Sequence, residues 1–86
     1  MATGPEVAQR AKEQLAQITG LPLGTVSKLA KGEDGWHINV EMVELRRIPD
    51  SSDVLATYEV LLDDGGNLIS YQRTRRYYRG EVTEER

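Results

Sequence analysis

The chain has 86 residues, 38% hydrophobic and 29% charged, with a formal net charge of −3. A chain this short buries only roughly 60 to 65% of its unfolded surface, so its stability margin is thin and oligomerisation or a bound partner is a natural supplement. The acidic balance gives no overall attraction to phosphate or anionic lipid. With no cysteine there is no disulfide or thiolate metal site, and no apolar run nears the ~20 residues of a membrane helix. No basic-then-apolar leader opens the chain, and the expectation is a soluble cytoplasmic protein with no membrane partner.

Thr3-Gly4-Pro5-Glu6 fits a capping box, in which the Thr3 hydroxyl and the Glu6 carboxylate satisfy early helix donors while Pro5 has no donor to lose. Val7, Ala11, Leu15 and Ile18 then recur at helical spacing, Glu6 precedes Arg10 by four residues, and Gly20 supplies the stop. The spacing predicts one amphipathic helix whose narrow apolar stripe must dock on something to persist.

Thr25 to Lys31 reads as a short strand with Val26 and Ala30 on one side, ended by Gly32-Glu33-Asp34-Gly35. In the next strand Trp36, Ile38, Val40 and Met42 alternate with His37, Asn39 and Glu41, the pattern of one buried face. The alternation then shifts to Val43 and Leu45, which predicts a β-bulge near Met42-Val43 or a strand covered on its second face. After Pro49-Asp50-Ser51-Ser52-Asp53, a third strand runs from Val54 to Leu62. Asp63-Asp64-Gly65-Gly66-Asn67 turns the chain into a fourth, Leu68 to about Tyr78. The expected fold is α+β: an N-terminal helix packed on a four-stranded antiparallel β-meander, αββββ. Residues 1–80 form the domain and residues 81–86 an acidic flexible tail.

Groups able to exchange protons or attack a substrate are few: one His, no Cys, and serines without a G-x-S-x-G context. His37 reads as a solvated or hydrogen-bonded strand residue rather than a base or a ligand. Asp63-Asp64 lacks the spacing and distal glutamate of a calcium loop. No catalytic residue, metal or cofactor is assigned. Trp36 and Tyr58 are assigned to the core.

Charge is polarised. Residues 49 to 67 contain Asp50, Asp53, Glu59, Asp63 and Asp64 with no Lys or Arg, whereas residues 68 to 80 contain Arg73, Arg75, Arg76 and Arg79 with no acid. Cross-strand pairing is one reading. Four arginines outnumber Glu59, the acid in the body of the neighbouring strand, which leaves a basic surface for a partner. Tyr71 and Tyr77 share parity with Arg73, Arg75 and Arg79, an aromatic-arginine face of the kind enriched at protein interfaces. One of Arg46 and Arg47 is expected to pair with Glu59 or Asp53 and the other to face solvent. The candidate partner-binding residues are Arg73, Arg75, Arg76, Tyr77, Arg79, Tyr71 and Arg47, with Val43 and Leu45, next to Leu55, as apolar second-face contacts.

Asp34-Gly35-Trp36, Val40 through Asp50 with its Glu44-Leu45-Arg46-Arg47-Ile48-Pro49-Asp50 core, Asp53 through Val60, and Arg73-Thr74-Arg75-Arg76-Tyr77-Tyr78-Arg79-Gly80 together resemble the gas vesicle accessory protein O family. The resemblance runs from the helix to Gly80. It implies a non-enzymatic assembly or regulatory factor, cytoplasmic and gas vesicle associated, with gas vesicle shell or accessory proteins as partners; a weak homodimer is a further option that the thin stability of a short chain leaves open. The helix-then-strands layout is also similar to PepSY-like inhibitory modules. A small nucleic-acid-binding or regulatory module using the same Arg/Tyr strand is the alternative. It is disfavoured by the net acidity and by Glu81, Glu84 and Glu85 beside the patch.

Overall fold

The computed structural model describes residues 3–49 and 52–80. Helix α1, Gly4–Thr19, begins where the Thr3 hydroxyl accepts from the Glu6 amide at 3.4 Å and Glu6 Oε1 accepts from the Thr3 amide at 3.0 Å. It ends at Gly20, whose φ of 76° is the left-handed conformation that glycine adopts without a Cβ penalty. Its buried stripe is Val7, Ala11 and Leu15. Ile18, expected on that stripe, is exposed.

The sheet contains β1 (Thr25–Gly32), β2 (Gly35–Leu45), β3 (Val54–Leu62) and β4 (Leu68–Tyr78), antiparallel and in the order β1-β2-β3-β4. This is the predicted αββββ meander. Trp36, Ile38, Val40 and Met42 of β2 stand opposite Leu62, Val60, Tyr58 and Ala56 of β3. Since strand side chains alternate between faces, those eight share the helix-facing side. Val7, Ala11 and Leu15 complete the core from above, with Leu21, Val26, Trp36 and Leu68 around it. Tyr58 is buried as expected, while Trp36 is half-buried with the Lys31 ammonium 5.7 Å from its ring centroid.

Register shifts decide which side chains share a face. In β1 the shift falls between Val26 and Lys28, so Val26 opposes Val40 on the helix side while Ala30 opposes His37 on the other. The two were expected together, and the extra residue, Ser27, separates them. In β2 the shift lies between Val43 and Leu45, one step beyond the predicted place, and Glu44 is the additional residue. In β4, Arg75 opposes Thr57 but Arg73 opposes Tyr58, which makes Thr74 the additional residue there. Another irregularity surrounds Ile69.

Helix α1 rests on β1, β2 and β3. It is fastened at the turn end of the sheet, where Arg10 Nε and Gln14 Nε2 both donate to the Gly66 carbonyl at 3.0 and 2.8 Å and Gln14 Oε1 accepts from the Leu68 amide at 3.0 Å. The Asp63 carboxylate accepts from the Gly65 and Asn67 amides, which commits it to the turn. The expected tail at residues 81–86, and Asp50-Ser51 in the connection before β3, lie outside the described residues.

Candidate functional site

The arginine-rich end of the sheet lies opposite that fastened turn. Glu44 stands on β2, and its carboxylate reaches across the intervening strand to β4. It accepts from the Tyr58 hydroxyl at 2.9 Å, Arg73 Nη1 at 3.1 Å and Arg76 Nε at 3.0 Å. Burial raises the Glu44 pKa, but the hydrogen bonds from Tyr58 and Arg73 and the charges of Arg73 and Arg76 outweigh it and hold the group below its ordinary value.

On the face away from the helix, Glu41 occupies the corresponding position. It accepts from Ser27 Oγ on β1 at 2.7 Å, Thr57 Oγ1 on β3 at 2.6 Å and Tyr77 Oη on β4 at 2.7 Å, so one carboxylate ties all four strands. Burial raises its pKa, and those three donors together with the Arg75 charge bring it below the ordinary value. For Tyr77 burial and then the Glu41 bond act in the same direction, and its phenol is pushed up to about 12. The Arg75 guanidinium lies 4.4 Å from the Tyr77 ring centroid, stacked on its face.

Asp53 is buried at the head of β3. It accepts from the Arg47 amide at 2.7 Å and from Arg79 Nε and Nη2 at 3.2 and 3.1 Å, and the Arg79 amide donates to the Asp53 carbonyl at 2.9 Å. The bond from the Arg47 amide, more than the partly offsetting cost of burial, lowers its pKa, with Arg79 adding to the effect. The residue expected to meet Asp53 through its guanidinium was Arg46 or Arg47; instead Arg79 does so, and Arg47 contributes its backbone. Glu59, the other expected acid, receives Gln72 Nε2 at 3.5 Å.

Six arginines, Arg46, Arg47, Arg73, Arg75, Arg76 and Arg79, thus gather around Glu41, Glu44 and Asp53. Three of the four basic residues of β4 and its end are held by internal carboxylates. The single aromatic-arginine face expected from parity is split by Thr74. Tyr71 and Arg73 stand on the helix side, where Tyr71 lies 6.4 Å from the Tyr58 ring, whereas Arg75 and Tyr77 stand on the open side. Of the apolar residues expected on the second face, Val43 and Leu55 oppose each other there, half-buried and buried, whereas the additional residue Glu44 moves Leu45 to the helix side opposite Val54, where it is exposed. Leu45, Arg47, Val54, Arg76, Tyr77 and Tyr78 border one hollow of about 340 Å³ at this end. Sequence reasoning missed Glu41 and Glu44 as organisers; Glu44 sits at the parity break and opens the family-like segment, the two signals that marked it.

A second, larger hollow lies on the open face, bordered by Lys28, His37, Asn39, Glu59, Ser70 and Gln72 among others. His37 Nε2 lies 2.7 Å from Asp34 Oδ1, an exposed partner three residues away that the sequence reading did not assign. Among the described residues no group of three or more His, Cys, Asp or Glu is placed to hold a metal ion, and no helix is long and apolar enough to cross a membrane.

The family model described as "Gas vesicle synthesis protein GvpO" matches residues 2–83. Gas vesicle protein O of Streptomyces sp. (strain CB03234) is 50% identical over 74 residues, covering 86% of this chain and 58% of that protein. Gas vesicle protein O of Haloferax mediterranei is 35% identical over 77 residues, 88% of this chain and 55% of the relative. Gas vesicle protein O1 of Halobacterium salinarum is 33% identical over 76 residues, 88% of this chain and 64% of the relative. The chain therefore spans less than two thirds of the length of these relatives. No solved structure matches it. The match over nearly the whole chain supplies what the geometry alone does not, and the chain belongs to the gas vesicle synthesis protein GvpO family.

Proposed function

We propose that this chain is a non-enzymatic gas vesicle assembly factor, cytoplasmic and vesicle associated, that binds gas vesicle shell or other accessory proteins through its sheet and the Arg/Tyr-rich end of β4. The observation that carries the reading is the family match across residues 2–83. The site supports it in kind: arginine and tyrosine side chains beside exposed apolar ones are the composition of energetic anchors in protein interfaces. The chemistry-bearing groups are meanwhile engaged in holding strands together, which fits binding better than turnover.

The test is to express a tagged form with the remaining gas vesicle genes, identify what co-purifies, and count vesicles in cells lacking the gene. Recovery of vesicle proteins and loss of vesicles on deletion are expected. Normal vesicle numbers without the gene, together with an empty pull-down, would remove the proposal.

A further inference from the structure

We infer that the hollow at the basic end is a docking site for an acidic segment of a partner protein, one that presents an apolar side chain between carboxylates. The inference rests on the assembly-factor reading and names the partner chemistry and the residues that read it. The hollow of about 340 Å³ is bordered by Leu45, Arg47, Val54, Arg76, Tyr77 and Tyr78, so its lining combines aliphatic, aromatic and arginine side chains.

The commitments already made decide which cations remain. Arg73 and Arg79 are held by Glu44 and Asp53. Arg47 uses its backbone amide at Asp53, and among the described residues its guanidinium has no carboxylate partner, while Arg75 stacks on Tyr77. Arg76 is more than half exposed even though its Nε meets Glu44. Of the residues that border the hollow, Arg47 and Arg76 therefore offer positive charge outward, Arg75 adds charge from the open face, and Leu45, 46% exposed, provides apolar contact, with Ile48, 99% exposed, next to Arg47 in the chain.

Charge complementarity selects the occupant. A second copy meeting this end about a two-fold axis would bring six arginines against six, with Glu41, Glu44 and Asp53 as the carboxylates among them in the described residues, and like charges brought together in this way disfavour the contact. A nucleic acid would lay evenly spaced phosphates across Glu41, Glu44 and Asp53, and the apolar lining would go unused. A short acidic peptide places carboxylates on the arginines and one aliphatic or aromatic group in the hollow, satisfying both features at once.

The probe is a short fluorescent peptide of alternating Glu and Leu, titrated by anisotropy against the full chain at low salt. Two control peptides carry Gln for Glu or Ser for Leu, and an oligonucleotide of equal length provides the polyanion control. We expect saturable binding of the Glu/Leu peptide and about tenfold weaker binding of either control peptide and of the Arg47→Glu and Leu45→Ser variants, with Lys28→Glu unchanged. Far-ultraviolet circular dichroism verifies that both variants, altered at exposed positions, remain folded. The inference is overturned by an absence of peptide binding, by indifference to Arg47→Glu in a folded protein, or by tighter binding of the oligonucleotide through the same arginines. Should tagged Arg47→Glu still recover vesicle proteins as well as the unaltered chain, the docking site is wrong while the assembly role stands; an empty pull-down with the unaltered chain points instead to the role itself.

Discussion

The Tyr77 phenol donates to the Glu41 carboxylate at 2.7 Å, joining the fourth strand to the second across the third. Thr57 and Ser27 fill out the same acceptor. Hydrogen bonds to a charged acceptor contribute roughly 1.5–3 kcal/mol each when partly screened from water. Tyr77→Phe, which keeps the ring under Arg75, is expected to lower stability by about 1–2 kcal/mol, and Glu41→Gln by more, because the amide keeps one oxygen to accept, sets its NH2 at the place of the other, and loses the charge that strengthens all three bonds. Urea unfolding followed by tryptophan fluorescence measures both. If Glu41→Gln unfolds at the same urea concentration as the unaltered protein, the four-strand tie is of no energetic consequence.

Much of the scaffold can be read directly from the residues, because its signals are local. Thr3 and Glu6 are three residues apart, Gly20 follows the helix it ends, and the even-numbered apolar positions of β2 and β3 alternate without interruption until Met42. The end of the sheet is different. Glu41 meets Ser27, Thr57 and Tyr77 at separations of 14, 16 and 36 residues, and pairing at such distances depends on register. Each single-residue bulge transfers every later side chain to the other face. Ser27, Glu44 and Thr74 are such residues, and none carries the glycine signature of a bulge. Parity counted along β4 therefore joins Arg73 to Arg75, whereas Thr74 puts them on opposite sides.

Acid should destabilise the protein through Glu41 and Glu44. Both have folded-state pKa values held below the ordinary value of 4.5 for Glu. A depressed folded pKa gives stability that is fully present above the unfolded pKa and is lost as pH falls through the folded one. Stability is expected to be flat from neutral pH to about 5 and to decline below about 4. Glu44→Gln should start less stable at neutral pH and lose less on acidification. Thermal melts across that range check the sign, and an unaltered protein whose melting temperature rises on acidification would contradict it.

Arginines on one strand should respond unequally to charge reversal. Arg73→Glu places a second carboxylate beside Glu44, which is largely shielded from solvent and also loses a donor, so a cost of about 1–3 kcal/mol is expected. Arg75→Glu removes an exposed guanidinium from the Tyr77 face, and only its longer-range attraction to Glu41 opposes the change. The expected cost is about 0.5 kcal/mol, rising to 1 if the new charge is felt at Glu41. Melting temperatures of the two variants compared side by side give the answer. Equal losses would mean that Glu44 does not distinguish Arg73 from its neighbour. The contrast also matters for binding work, since multiple reversal across Arg73, Arg75 and Arg76 disturbs folding and docking together.

The tightest backbone constraint lies at the opposite end, where β2 begins. Gly35 is buried with a φ of 132°, a conformation that side-chain-bearing residues rarely adopt, and a Cβ there would be driven into the Leu62 carbonyl at the end of β3. Strain and collision therefore act together, and neither Leu62 nor its carbonyl can retreat without opening the core, because Leu62 is fully buried opposite Trp36. Gly35→Ala is expected to lower stability by about 2–4 kcal/mol, a large fraction of the whole for a chain of this size. Gly65 is the matched control: it lies in an exposed turn, its φ is not positive, and a Cβ would meet only Asn67 Nδ2 and Asp63 Oδ1 at ordinary contact distances of 3.4 and 3.5 Å. Gly65→Ala should stay within about 0.5 kcal/mol of the unaltered protein. Circular dichroism melts of the pair isolate the constraint, and a Gly35→Ala protein that melts with Gly65→Ala would show that β2 can enter the sheet without the glycine.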